Sequence, residues 1–295
     1  MGARTARSAD GGAVDLLTNP ALARLHPTWD HPERQDRLLA LGGESVERYA
    51  SDEQLARVHT LEYLALLRSL DGPVWIEPPN TVASETSWEA VRLAVGVTLE
   101  AVDRGGFALV RPPGHHALAG EAYGFCLVNN VAVAARYAQD ELGLGRVAIV
   151  DFDVHHGNGT DAIFRGDDSV LYASIHQYGA VFPGTGGTGT SDQTTVNVPL
   201  HAGCGDAEWL GALADVVEPA VRAFEPDLLL VSAGFDAHVE EDIYLVDMRV
   251  TDAGFRELAR RCAALAPRLA AVLEGGYNLA TLPRLVALAQ EGFSL

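Results

Sequence analysis

From the middle of the chain onward, short and continuously apolar runs alternate with longer alanine-rich segments of helical periodicity. Short apolar runs rich in Val, Ile and Leu and bounded by polar residues or glycine predict buried strands. Such strands are predicted at residues 107–110, 147–152, 170–175, 228–232 and 271–273. Helices are predicted between them, for example at residues 127–141, 207–224 and 252–266. This alternation indicates an α/β fold with a central, mainly parallel sheet covered by helices on both faces.

Each predicted strand runs directly into a polar or glycine-rich patch. These patches lie at residues 111–116, 151–158, 174–176, 232–236 and 274–277. The carboxyl ends of parallel strands share one edge of a sheet, and open α/β sheets bind their ligands there. We therefore expect one active site assembled from distant segments. The chain is predicted to be a single domain, residues 13–295, after a flexible leader at residues 1–12.

Composition and charge narrow the range of partners. The chain has 295 residues, of which 48% are hydrophobic, and a formal net charge of −19. This composition is typical of a soluble globular protein, and so negative a surface argues against nucleic acids and anionic membranes as partners. No segment approaches the roughly 18 to 20 apolar residues of a membrane span. Three scattered cysteines, Cys126, Cys204 and Cys262, are consistent with a reducing cytoplasm.

The end of the second predicted strand carries the chemistry of a cation site. Asp151, Asp153 and His155 are spaced two apart, so their side chains point to the same face of a strand. Alone, this pattern fits a metal site and a salt-bridged strand end equally well. Asp236 follows another buried strand, where an unpaired carboxylate is costly. One imidazole and two carboxylates leave a coordination position open, which is typical of a catalytic metal.

The ordered motifs of the chain resemble the zinc-dependent histone deacetylase family. The similarity is to the class II and bacterial branch, which includes acetylpolyamine amidohydrolases and acetoin-utilisation proteins, and it spans residues 27–279. The matching motifs are RPPGHHA (111–117), GFC (124–126) followed by Asn129 and Asn130, DFDVHHGNGT (151–160), FPGTG (182–186), NVPL (197–200), SAGFD (232–236) and EGGYNL (274–279).

The resemblance implies an arginase/deacetylase-like fold and hydrolysis of an N-acetylated amine to acetate and a free amine. It implies one zinc ion per subunit, held by Asp153, His155 and Asp236. His116 then corresponds to the general base and His115 to its electrostatic partner. These roles suit the chemistry, because zinc lowers the pKa of water while a neighbouring imidazole accepts the proton.

Further roles follow from the same resemblance. Asp151 is expected to bind His115, and Asn158 to face His116, where many relatives have an acid. Tyr277 corresponds to the tyrosine that stabilises the oxyanion. A potassium ion or another monovalent cation is implied at Asp151, Asp153, His155, Ser174 and Ile175. The walls of the acyl-lysine channel are implied to be Gly124, Phe125 and Phe182.

Several features leave the substrate open. Asn80 occupies the rim position where relatives usually have an acid that grips the substrate backbone. The acidic segment from Glu240 to Asp247 either recruits cationic substrates or is a solvated loop. Acetyl-lysine in proteins or peptides is the leading substrate class, with acetylated polyamines or another small acyl amine as the alternative. An inactive acyl-lysine-binding module is a further alternative. The branch assignment predicts a bacterial cytoplasmic protein, and the sequence gives no indication of oligomeric state.

Overall fold

The computed structural model describes residues 12–294, so the predicted leader lies outside the described residues except for Gly12. Its strands are β1 Leu16–Thr18, β2 Glu44–Ser45, β3 Val74–Glu77, β4 Thr81–Ala83, β5 Phe107–Ala108, β6 Val147–Asp151, β7 Val170–Gln177, β8 Thr195–Leu200, β9 Leu228–Ala233 and β10 Leu269–Leu273. Eight of these strands form one sheet in the order β2-β1-β5-β10-β9-β6-β7-β8, and each neighbouring pair is parallel.

Helices flank the sheet and supply its crossover connections. They are α1 Leu22–Leu25, α2 Asp36–Leu39, α3 Asp52–Ala56, α4 Leu61–Arg68, α5 Ser87–Arg104, α6 Asn130–Asp140, α7 Asn158–Phe164, α8 Asp206–Ala212, α9 Glu218–Phe224, α10 Asp252–Ala263 and α11 Leu282–Phe293. A π-helical segment, Leu213–Val217, joins α8 to α9. Among the described residues, no helix is both long and apolar enough to cross a membrane.

The predicted α/β architecture is confirmed. All five predicted strands are present as β5, β6, β7, β9 and β10, and all belong to the parallel sheet. Every residue of β6 and β9 is buried, which explains why these runs are continuously apolar rather than alternating. The helix predicted at residues 207–224 is divided by the π-helical segment, just before Pro219 near the start of α9.

The register of the sheet brings the strand ends together. Asp151, the last residue of β6, pairs with Ser174 on β7 and with Ser232 on β9. Next to β9, Leu273 at the end of β10 pairs with Ala233. The segments that follow β6, β9 and β10 therefore leave the sheet at one level and can form one site.

The antiparallel pair β3 and β4 lies outside this sheet. Its connection contains Pro78, Pro79 and Asn80. This hairpin is the element that supplies the Asn80 position.

Candidate active site

Three side chains form a buried cluster beyond the carboxyl ends of β6 and β9. Asp153 and His155 follow β6, and Asp236 follows β9. Nδ1 of His155 lies 3.1 Å from Oδ1 of Asp153 and 3.1 Å from Oδ2 of Asp236. One donor atom from each residue lies within 4.8 Å of the other two, so the three can hold a metal ion together.

Backbone groups orient both carboxylates of this cluster. The Gly275 N–H donates to Oδ2 of Asp153 at 2.8 Å, and the Val154 N–H donates to Oδ1 of Asp236 at 2.9 Å. A Cβ atom at Gly275 would overlap both carboxylates. The close approach therefore requires glycine at position 275, a feature that the Glu-Gly-Gly-Tyr motif supplies.

The donor set fits a divalent metal. Two buried carboxylates face a single imidazole, so burial leaves excess negative charge that a cation would compensate. Two carboxylates and one imidazole suit zinc and leave coordination positions open for water and substrate. Asp153, His155 and Asp236, which were predicted as ligands, are thus brought together, and their role stays a prediction.

The tandem histidines lie beside this cluster in different electrostatic environments. Nδ1 of His115 lies 3.0 Å from Oδ2 of Asp151, and Nδ1 of His116 lies 2.8 Å from Oδ1 of Asn158. Although burial lowers the pKa of His115, the carboxylates of Asp151 and Asp153 raise it to about 10. Burial, followed by the charges of His115 and His155, holds the pKa of His116 well below its usual value. These shifts favour a charged imidazole at His115 and a neutral one at His116.

Tyr277 lies in a turn whose backbone is held by the side chain of Arg37. The Arg37 guanidinium donates from Nε to the Gly276 carbonyl at 2.8 Å and from Nη2 to the Glu274 carbonyl at 2.5 Å. Its Cζ atom lies 4.8 Å from the centre of the Tyr277 ring. Within residues 12–294, the hydroxyl of Tyr277 has no hydrogen-bond partner, so it is free to donate to a substrate.

A cavity of about 360 Å³ leads to these groups. The ring of Phe125 packs edge-on against that of Tyr277 at 5.8 Å, and the ring of Phe182 against that of His116 at 5.0 Å. A Cβ atom at Gly124 would lie 2.7 Å from side-chain atoms of His116 and Phe182, so glycine keeps the passage open. The cavity is lined by Pro79, Asn80, His116, Gly124, Phe125, His155, Phe182, Ile243, Tyr244, Leu245 and Tyr277.

The residues predicted for a monovalent cation are also adjacent. Asp151 lies next to Ser174 in the sheet register, and Ile175 follows in the same strand. The Oδ2 atom of Asp151 accepts a hydrogen bond from the Tyr172 hydroxyl at 3.0 Å, in addition to its contact with His115. The Ser174 hydroxyl forms a hydrogen bond with Nδ1 of His176 at 2.9 Å. The cation itself stays a prediction.

Two buried acids near the site had no predicted role. The Glu274 carboxylate accepts the backbone N–H groups of Gly114 and His115 at 2.7 and 3.2 Å, and it therefore holds the histidine loop. Burial raises the pKa of Glu274 to about 7. Glu33 pairs with Arg111 at 2.7 Å and with Arg37 at 3.2 Å. Glu274 could have been found from its position directly after a buried strand, whereas no sequence signal marks Glu33.

Together, these features define the class of the protein. It is a parallel α/β protein whose sheet edge carries a buried cluster of two carboxylates and an imidazole that could hold a metal, with two further histidines and a tyrosine beside a cavity. A sequence profile of the histone deacetylase domain matches residues 22–293. The chain belongs to the histone deacetylase family, and it is a hydrolase of the deacetylase type.

Relatives from plants and an archaeon support this membership. The chain is 38% identical to the histone deacetylase 10, chloroplastic, of Oryza sativa subsp. japonica, over 92% of this chain and 70% of that protein. It is 36% identical to a probable deacetylase of Archaeoglobus fulgidus, over 84% of this chain and 77% of that protein. The crystal structure of the HDA15 HD domain matches with a TM-score of 0.89 and 34% identity, over 96% of this chain and 88% of that one.

Proposed function

We propose that the chain is a zinc-dependent deacetylase that releases acetate from acetyl-lysine side chains of proteins or peptides. The cavity of about 360 Å³ that ends at His116, His155 and Tyr277 carries this proposal. Its walls are aromatic at Phe125 and Phe182, and an acetylated lysine is a long, uncharged chain. Apolar walls with a few polar groups at the closed end suit such a ligand.

Asp153, His155 and Asp236 are the residues proposed to hold the metal. When bound, zinc supplies a Lewis acid that polarises the acetyl carbonyl and lowers the pKa of water. The chain holds both carboxylates in place through the N–H groups of Gly275 and Val154 before any ligand arrives. Such preorganisation reduces the reorganisation that the reaction requires.

His116 is proposed to accept a proton from water at Nε2 and to deliver it to the leaving amine. Its Nδ1–H donates to Oδ1 of Asn158 at 2.8 Å, so the neutral ring carries its lone pair at Nε2. Burial, and then the charge of the neighbouring His115 beside Asp151, keep the pKa of His116 low. A neutral imidazole is the form that a general base requires.

The Tyr277 hydroxyl is proposed to donate to the oxygen of the acetyl carbonyl as negative charge develops there. Removing a single donor of this kind costs about 3 to 4 kcal/mol of transition-state stabilisation. The edge-on contact between Phe125 and Tyr277 at 5.8 Å keeps the ring at the wall of the cavity.

The rim favours acetyl-lysine over acetylated polyamines. Asn80, Ile243, Tyr244 and Leu245 line the mouth of the cavity, and no carboxylate is among the described residues that line it. A polyamine carries a distal ammonium group that finds no carboxylate in this cavity, whereas Asp30 and Asp242 line the adjoining one. The net charge of −19 attracts cationic proteins and polyamines alike over a longer range, so the lining of the cavity carries the preference. We also propose a cytoplasmic location and a monovalent cation beside Asp151.

The test is acetate release from an acetyl-lysine peptide and from N-acetylputrescine, measured side by side with the zinc-loaded protein. The chain contains no lysine, so released acetate cannot originate from acetyl-lysines of the enzyme itself. We expect release mainly from the peptide, its loss with a chelator and its return with zinc. Release mainly from the diamine would overturn the lysine assignment, and release that resists the chelator would overturn the metal dependence.

A further inference from the structure

The acidic segment that follows Asp236 contains two neighbouring glutamates with different surroundings. The side chain of Glu240 is 58% exposed and pairs with Arg284 at 3.0 Å. The carboxylate of Glu241 instead turns inward, where its Oε2 atom accepts the backbone N–H groups of Tyr277 at 2.9 Å and Asn278 at 3.2 Å. Substituting Glu240 would therefore remove a surface ion pair, whereas substituting Glu241 would remove two hydrogen bonds to the backbone of the Tyr277 turn.

The Tyr277 turn is consequently fixed from two sides. Arg37 binds the carbonyls of Glu274 and Gly276, which precede the tyrosine. Glu241 binds the N–H groups of the tyrosine and of the residue after it. Gly276 has a φ of 109°, a conformation that favours glycine. Because glycine adopts many other conformations as readily, the contacts on both sides are needed to hold this one.

This contact also joins the turn to the rim of the cavity. Ile243 and Tyr244 follow Glu241 closely in sequence and line the same cavity as Tyr277. If the Glu241 carboxylate were lost, two partly buried N–H groups would lack their acceptor, and the turn would shift to satisfy them. A misplacement of about 1 Å in a reacting group can cost roughly 100-fold in rate.

We infer that Glu241 is a positioning residue that holds the backbone of Tyr277 so that the tyrosine hydroxyl meets the acetyl carbonyl. The inference rests on the role proposed above for Tyr277. Glu241, the inward-facing acid of the segment, then serves turnover rather than the recruitment of cationic substrates.

The experiment is a double-mutant cycle measured on the acetyl-lysine peptide. Glu241→Ala should lower kcat by about 10- to 100-fold while KM changes by less than about twofold. In the Tyr277→Phe background, where the hydroxyl is absent, Glu241→Ala should change kcat by less than about twofold. Bound zinc and the melting temperature of each variant establish that fold and metal site persist.

Two further variants separate positioning from charge. Glu240→Ala removes the same charge from the same segment but no contact with the Tyr277 backbone, so kcat and KM should stay within about twofold of the native values. Glu241→Gln keeps a side-chain oxygen that accepts both N–H groups, so most of the turnover should return, even if Glu241→Ala folds poorly. Equal rises in KM for Glu240→Ala, Glu241→Ala and Glu241→Gln would instead show substrate recruitment and overturn the inference.

The remaining outcomes distinguish this inference from the proposed function. A kcat loss of equal size in the native and Tyr277→Phe backgrounds would show that Glu241 acts independently of the hydroxyl. Loss of turnover in Tyr277→Phe but not in Glu241→Ala would overturn only the inference. Full turnover in Tyr277→Phe would overturn the role of the tyrosine and the inference with it.

Discussion

Replacing Asn158 by aspartate should move the acid side of the pH–rate profile to higher pH. Oδ1 of Asn158 lies 2.8 Å from Nδ1 of His116, so Asn158→Asp places a carboxylate within hydrogen-bonding distance of the proposed base. An opposite charge this close raises the pKa of an imidazole by about 1 to 3. Because each unit of pKa corresponds to about 1.4 kcal/mol, the charged form gains about 1.4 to 4 kcal/mol.

The sign follows from the form of His116 that reacts. His116 accepts a proton only when it is neutral, and a higher pKa keeps it protonated up to a higher pH. On the acid side, kcat/KM should therefore fall from its plateau at a pH about 1 to 3 higher than in the native enzyme. The assay is kcat/KM for an acetyl-lysine peptide from about pH 5 to about pH 10, because this quantity reports the titration of the free enzyme.

Two controls isolate the charge at position 158. Gln193→Glu adds the same charge at an exposed position and should leave the profile unmoved. Asn158→Ala removes the acceptor without adding a charge, so it should lower the rate without an upward shift of the acid side. If Asn158→Asp leaves the acid side in place, His116 is not the base that the profile reports, and the reasoning fails.

Three more predictions concern the metal cluster, a close contact and a buried charge. Asp236→Asn removes a charged ligand, so zinc retained after dialysis should fall at least about tenfold, and full occupancy in metal analysis would remove Asp236 from the ligand set. Gly157→Ala drives a Cβ atom into a buried carboxylate and a tyrosine hydroxyl and should cost about 1 to 3 kcal/mol in urea unfolding, whereas Gly211→Ala, with nothing within 4 Å, should not destabilise the protein. Glu33→Gln uncovers the buried charge of Arg111 and should cost about 3 to 5 kcal/mol; an unchanged urea midpoint would contradict this. Burial raises the pKa of Glu33, but the charge of Arg111 outweighs burial and holds the pKa at about 2. In the native protein, the stabilisation that the Glu33–Arg111 pair contributes is therefore complete above pH 4.5 and is lost as the pH falls toward 2.

The proposed reacting groups were predictable because they lie just beyond the ends of continuously apolar strands. β6 and β9 are wholly buried, so each appears in the sequence as an uninterrupted apolar run, and a charged residue within a few positions of its end is conspicuous. Asp153 and Asp236 were identified in this way. The order of the strands could not be predicted, because it depends on which crossover each helix makes. β5, for example, lies between β1 and β10, far from its sequence neighbours.

Three strands of the sheet were not predicted, for physical reasons. β1 and β2 contain 3 and 2 residues, too few to show a period. β8 contains Asn197 and Pro199, which are rare in strands. It lies at the edge of the sheet, where only one side of the strand is paired and proline is tolerated.

The residues that hold the reacting groups in place mostly lie far from them in the sequence, and the sequence pattern gives little indication of their role. Arg37 binds the Gly276 carbonyl from 239 residues away, and both Arg37 and Arg111 are fully buried. The hydrogen-bond partners of Arg37 could not be predicted from the local sequence, because charged side chains are normally at the surface and the partners of a buried one are set by tertiary structure.

These supporting contacts also explain how members of one family can differ while the same groups react. Burial and then the charge of His115 set the low pKa of His116, and the residue at position 158, here an uncharged asparagine 2.8 Å away, adds to or subtracts from that balance. Tyr277 receives its position from residue 241, here a glutamate that accepts its N–H at 2.9 Å. A change at either position alters when a proton is accepted or where a hydroxyl points, while the metal cluster stays the same. The pH dependence and turnover of this enzyme should therefore depend on Asn158 and Glu241 as strongly as on the reacting side chains that they support.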